Sequence, residues 1–182
     1  MTIITDILEC RKYLDGIEGV VFDLDDTLYS EKDYVRSGYR AVAGAFFRED
    51  MAEKLWTAFE KGLPAIDAVL ESEGLAGAEN KARALQTYRE HIPEIELYSG
   101  MKQLLESLCK EKKLGMITDG RPEGQRAKIQ SLQIEQYFEK IIVTDELGGP
   151  EFRKPNEKAF RLMQKALDVP FEKMVYIGDN TR

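Results

Sequence analysis

Apolar positions along the chain fall into two patterns, and their alternation divides it. Four short runs, Gly19 to Leu24, Leu114 to Thr118, Lys140 to Thr144 and Met174 to Ile177, are largely aliphatic and show no polar alternation. Such runs predict strands buried on both faces, as in a parallel sheet covered by helices. Helical spacing separates them. Met101–Lys112 sets Leu104, Leu105 and Leu108 on one side, Gln125–Leu132 follows the second run, and Glu157–Leu167 carries Phe160, Leu162, Met163 and Leu167. A first short helix is predicted over Thr5–Leu14, capped by Thr5 or Asp6 and stopped by Gly16.

Between Ser30 and Ile92 the pattern is helical throughout. Asp33–Phe47, Met51–Glu60, Ala65–Glu73 and Glu79–Glu90 predict four helices, with Tyr34, Tyr39, Phe46, Trp56 and Phe59 at core spacing. The pattern as a whole predicts an α/β protein. A Rossmann-like, three-layer α/β/α parallel-sheet core takes residues 1–29 and 97–182, and a small helical bundle takes 30–96.

Composition narrows the chemistry. A net charge of −7 argues against a nucleic-acid surface, which would carry basic excess. No apolar run approaches a membrane span, and the N-terminus lacks the apolar core of a signal peptide. Cys10 and Cys109 are the only cysteines, too few for a disulfide framework or a zinc site, so a reducing cytoplasm is expected. His91 is the single histidine, which excludes a histidine-based triad and a multi-histidine metal centre.

Carboxylates gather where the first run ends, at Asp23, Asp25 and Asp26. Strand alternation sets Asp23 and Asp25 on one side, with Cα atoms about 6–7 Å apart. Like charges that close repel unless something neutralises them. The cluster therefore points to a hard divalent cation with oxygen ligands; turn-forming and helix-capping aspartates are the alternative. Other predicted strands end in comparable groups. Thr118, Asp119 and Gly120 close the second, and Gly178-Asp179-Asn180 the fourth; Lys154 sits in the loop before the last helix. Ligands of open parallel sheets bind at such strand ends. Arg121 and Asp145 lie in loops of the same edge as candidate substrate contacts.

From about Gly19 onward this ordered set resembles the haloacid dehalogenase superfamily. Its DxDxT signature is matched by Asp23, Asp25 and Thr27, its second motif by Thr118, its third by Lys154-Pro155 and its fourth by Gly178-Asp179. The resemblance implies Mg²⁺ bound by Asp23, Asp179 and Asp25, the last through its backbone carbonyl. It implies Asp23 as nucleophile and Asp25 as general acid and base. Thr118, Asp119, Gly120 and Lys154 would bind the phosphoryl group, with Thr118 and Lys154 also catalytic. The helices over 30–96 would form an α-helical cap that selects substrate. The implied reaction is hydrolysis of a small phosphate monoester of the sugar phosphate, phosphoglycolate or nucleotide type. Phosphomutase, dehalogenase and a non-catalytic interaction module remain alternatives, although dehalogenases lack the second aspartate. The family's fourth motif usually carries another carboxylate just beyond the first, which this sequence does not reach. Nor does any helix or strand follow the fourth run, so a further C-terminal segment or a second copy of the chain is expected to cover that edge.

Overall fold

The computed structural model describes residues 2–4 and 6–179; Thr5 and Asn180 lie outside the described residues. Strands β1 (Gly19–Phe22), β2 (Lys113–Thr118), β3 (Lys140–Val143) and β4 (Met174–Ile177) form one sheet in the order β3-β2-β1-β4, every neighbouring pair parallel. Gly19 lies beside both Lys113 and Met174, so β1 is central. Its four residues are all buried, which explains the unbroken apolar run.

Helices α5 (Met101–Leu108), α6 (Pro122–Leu132) and α7 (Glu157–Leu167) make the parallel crossovers. Adjacent strand residues point to opposite faces. Ile117 packs with Val21, Ile142 and the α7 residues Ala159, Met163 and Leu167, while its neighbour Thr118 meets Gln125 of α6. Helices thus cover both faces, and the core is a three-layer α/β/α sandwich. The chain runs outward from β1 through β2 to β3, then returns across to β4. The switch in direction falls between β1 and β4, where the ends of these strands bring Asp23 and Asp179 to one edge.

Several elements differ from expectation. β1 stops at Phe22, two residues early, because the chain turns at once: Thr27 and Leu28 both donate backbone N–H groups to the Leu24 carbonyl. Asp26 takes a left-handed conformation in this turn (φ 51°), and its side chain accepts from the Glu31 N–H at 2.8 Å, at the first residue of α1 (Glu31–Ala45). The N-terminal segment is a 3₁₀ helix, Ile7–Tyr13, capped by the Asp6 side chain; only Cys10 within it is buried, too little apolar face to hold an α-helix. α6 begins three residues early at Pro122, a residue suited to a first helical turn. α5 ends four residues short at Leu108, and β3 gives way at Thr144 to a 3₁₀ turn.

The chain divides into two compact units, residues 1–31 with 96–182, and Lys32–Ile95. The second holds most of α1 together with α2 (Met51–Glu60), α3 (Ala65–Ser72) and α4 (Ala78–Glu90). Its core is Val35, Tyr39, Val42, Met51, Leu55, Val69, Leu70 and Ala84, flanked by Phe46, Trp56, Phe59 and Tyr88. Gly38 lets the Tyr88 ring lie against α1: a Cβ there would stand 2.5 Å from the ring. Gly38→Ala therefore sets a helix-propensity gain of about 1 kcal/mol against overpacking of about 1–3 kcal/mol. The expected net result is destabilisation, read as a lower urea midpoint by fluorescence of Trp56, the only tryptophan and a member of this unit.

Candidate active site

At the carboxyl edge of the sheet a cavity of about 520 Å³ is lined by Asp23, Asp25, Asp26, Glu31, Asp119, Lys154, Pro155, Phe160, Tyr176 and Asp179. Its volume suits a small ligand. Six carboxylates face it with one ammonium among the described lining residues, a balance that favours a bound cation.

Asp23 follows directly on β1, its N–H extending the sheet by donating to the Ile177 carbonyl at 2.8 Å. The residue is buried, and its side chain meets the Lys154 ammonium at 2.6 Å and accepts from the Leu24 N–H at 2.8 Å. Burial pushes the Asp23 carboxyl above its ordinary pKa, and the Lys154 charge and hydrogen bond oppose that rise. Lys154 is itself held from three directions. Its ammonium donates to the Tyr176 hydroxyl at 2.9 Å and reaches the Ile117 carbonyl at 3.4 Å. Its backbone N–H donates to the Asp119 carboxylate at 3.1 Å, and that carboxylate also accepts from the Thr144 hydroxyl at 2.8 Å. Tyr176 lies in β4 beside Val21, and burial, then the charges of Asp23, Asp119 and Asp179, push its phenol well above the usual range.

Asp25 is anchored separately. The Lys128 ammonium approaches it at 2.7 Å, the Gln125 amide donates at 2.8 Å, and the Tyr29 hydroxyl donates to the same oxygen as Lys128. Asp23 and Asp25, expected on one side, both lie beyond the last residue of β1. Both still line one cavity, but their cationic partners come from opposite faces of the sheet: Lys154 precedes α7, and Lys128 stands on α6. Thr27, buried, accepts from the Asp179 N–H at 3.1 Å and so ties the turn after β1 to the end of β4.

Asp23, Asp25, Asp119, Lys154 and Asp179 are thus brought together. Thr118 is fully buried, with its hydroxyl bonded to the Gln125 amide, and neither it nor Gly120 lines the cavity. Asp145 makes a paired contact to Arg153 at 2.8 and 2.7 Å, which holds its carboxyl below the usual range. Arg121 sits exposed before α6. Residues the sequence reading missed are Gln125, Lys128, Tyr176 and Glu31. Glu31 stands at the cavity rim, where desolvation and then the Asp25 charge raise its pKa.

The donor set fits a hard cation. Asp23 and Asp179 supply carboxylate oxygens from adjacent strand ends. Among the described residues no three His, Cys, Asp or Glu side chains converge as a metal cage. Mg²⁺ is one such hard cation: it takes one or two carboxylates, as Asp23 and Asp179 could supply, and fills its shell with water and substrate oxygens.

Comparison with known proteins gives the family. The family model described as haloacid dehalogenase-like hydrolase matches residues 20–182, and the chain belongs to that family of hydrolases. A glyceraldehyde 3-phosphate phosphatase of Methanocaldococcus jannaschii is 25% identical over 181 residues, covering 90% of this chain and 76% of its own. A phosphorylated carbohydrates phosphatase of Thermotoga maritima is 26% identical, covering 90% of this chain and 77% of its own. In fold, the chain is similar to a HAD-type hydrolase from Bacillus subtilis whose crystal structure is described as magnesium-bound (TM-score 0.62, 21% identity, 90% of this chain and 78% of that one).

Removing the partner of a buried charge is costly. Lys154→Met is expected to lower stability by about 3 kcal/mol, and adding Asp23→Asn should recover at least about 1 kcal/mol of it. Urea denaturation of the two single variants and the double variant, followed by circular dichroism, measures this coupling.

Proposed function

We propose that the chain is a Mg²⁺-dependent phosphohydrolase that cleaves small phosphate monoesters through an aspartyl-phosphate on Asp23. The observation that carries this reading is the buried Asp23, paired with Lys154 and opening on a cavity that Asp25 and Asp179 also line. A phosphate monoester resists anionic nucleophiles because its own oxygens repel them, so positive charge must stand at the phosphoryl group. Lys154 supplies one such charge and restrains the nucleophile. Mg²⁺, held by Asp23 and Asp179 and by the main-chain carbonyl of Asp25, would screen the remaining oxygens.

The Asp23 carboxylate attacks phosphorus, and the ester oxygen leaves with the bonding pair. Asp25 gives that oxygen a proton, then takes one from the water that hydrolyses the aspartyl-phosphate. Dehalogenation needs no such proton donor, so the anchoring of Asp25 weighs toward phosphate esters. Relatives named for glyceraldehyde 3-phosphate and for phosphorylated carbohydrates support a sugar phosphate or similarly small ester as substrate. We assign the helical unit, Lys32–Ile95, the role of substrate-selecting cap, since it is inserted directly after the first motif as in the family's pattern. The reading also includes cytoplasmic residence, supported by the free thiols Cys10 and Cys109. No helix among the described residues is long and apolar enough to cross a membrane.

Phosphate release from p-nitrophenyl phosphate, with Mg²⁺ and with EDTA, tests the reading. Hydrolysis should require Mg²⁺ and fall by at least about 1,000-fold in Asp23→Asn. Activity that survives Asp23→Asn or persists in EDTA would overturn it.

A further inference from the structure

Buried polar side chains on a helix face that packs on a sheet are costly unless each meets a partner. α6 carries two. Gln125 and Lys128 are only 3% and 5% exposed, and they stand among the buried apolar residues Ile129 and Leu132 of the same helix. Three positions apart, they share one face of α6. Both converge on Asp25, Lys128 on one carboxylate oxygen at 2.7 Å and Gln125 on the other at 2.8 Å. The Tyr29 hydroxyl adds a donor to the Lys128-bound oxygen. The Gln125 amide also donates to the Thr118 hydroxyl, which lies at the end of β2 with no exposure. With both oxygens held, the Asp25 side chain can neither rotate about its last bond nor swing away from the cavity.

We infer that Gln125 and Lys128 are positioning residues for the proton-transfer step, with Thr118 orienting the Gln125 amide. They act through Asp25, not on the phosphoryl group. The inference rests on the hydrolase reading above, in which Asp25 delivers a proton to the leaving oxygen as its bond to phosphorus breaks. A general acid contributes only when its proton lies within hydrogen-bond reach of the acceptor, and a small misplacement forfeits much of that gain. The dependence is selective. A p-nitrophenolate leaves as a stable anion and needs little protonation, whereas an alkoxide needs it in full.

The test compares kcat/KM for glycerol 2-phosphate, an alkyl ester, with kcat/KM for p-nitrophenyl phosphate, both with Mg²⁺. The proteins are the unsubstituted chain, Gln125→Met, Lys128→Met and Lys128→Arg. Because kcat/KM reports the steps up to the first irreversible one, hydrolysis of the aspartyl-phosphate does not blur the comparison. The ratio is expected to move about 10- to 100-fold against the alkyl ester in both Met variants, with Lys128→Arg between them and the parent. Damage of a merely structural kind would lower both substrates together, and an unchanged ratio in active variants would overturn the inference. Far-UV circular dichroism checks folding; if Lys128→Met fails that check, Gln125→Met, which removes no charge, decides alone. An unsubstituted chain silent toward both esters would instead sink the hydrolase reading itself.

Discussion

Negative charge concentrated where β1 and β4 end is the constraint that the rest of the site answers. Taking Asp23 out of water raises the cost of its charge, and further carboxylates around one cavity add to that cost. Fixed donors offset it from both sides of the sheet. Lys154, itself gripped by Asp119 and Tyr176, meets Asp23 from the α7 side, and Gln125 and Lys128 meet Asp25 from the α6 side. The sheet order makes this arrangement available. At the switch between β1 and β4, strand ends and residues from both helical layers border the same opening.

The sheet was legible because strands buried on both faces leave unbroken apolar runs, and Val20-Val21-Phe22 in β1 and Leu114 to Thr118 in β2 are such runs. The family match over residues 20–182 accords with the same motifs. Strand length was less legible: β1 ends at Phe22, where the turn through Leu24 to Leu28 takes over, and Asp23 and Asp25 line one cavity from just beyond it. The short helix expected over Thr5–Leu14 is present as a 3₁₀ helix at Ile7–Tyr13, and apolar spacing does not reveal how shallow its buried face is.

Site residues divide along a similar line. Asp23, Asp25, Lys154 and Asp179 stood out because each follows a strand or precedes a helix at a motif position. Gln125 and Lys128 did not, since a glutamine and a lysine on a helix ordinarily face water. Their signal was available: at spacing i, i+3 they fall on the same side as Ile129 and Leu132, a polar pair inside an apolar stripe. Tyr176 was hidden because an aromatic in an apolar strand is usually core, and here its ring does pack on Phe160 while its hydroxyl serves Lys154. Thr118 was placed at the correct strand end, but strand position does not tell a hydroxyl which neighbour to bond, and Gln125 takes it.

The hydrogen bond from the Asp179 N–H to Thr27, with the pairing of Gly19 to Met174, bears on how the protein is made. These contacts join segments far apart in sequence, so they form under the heaviest loop-closure entropy in the sheet. During synthesis β1, β2 and β3 are all exposed for pairing before β4 exists, and Asp23 meanwhile lacks the strand that completes its surroundings. The cavity is therefore complete only once β4 has paired with β1, and a chain in which that pairing has not formed carries an incomplete pocket.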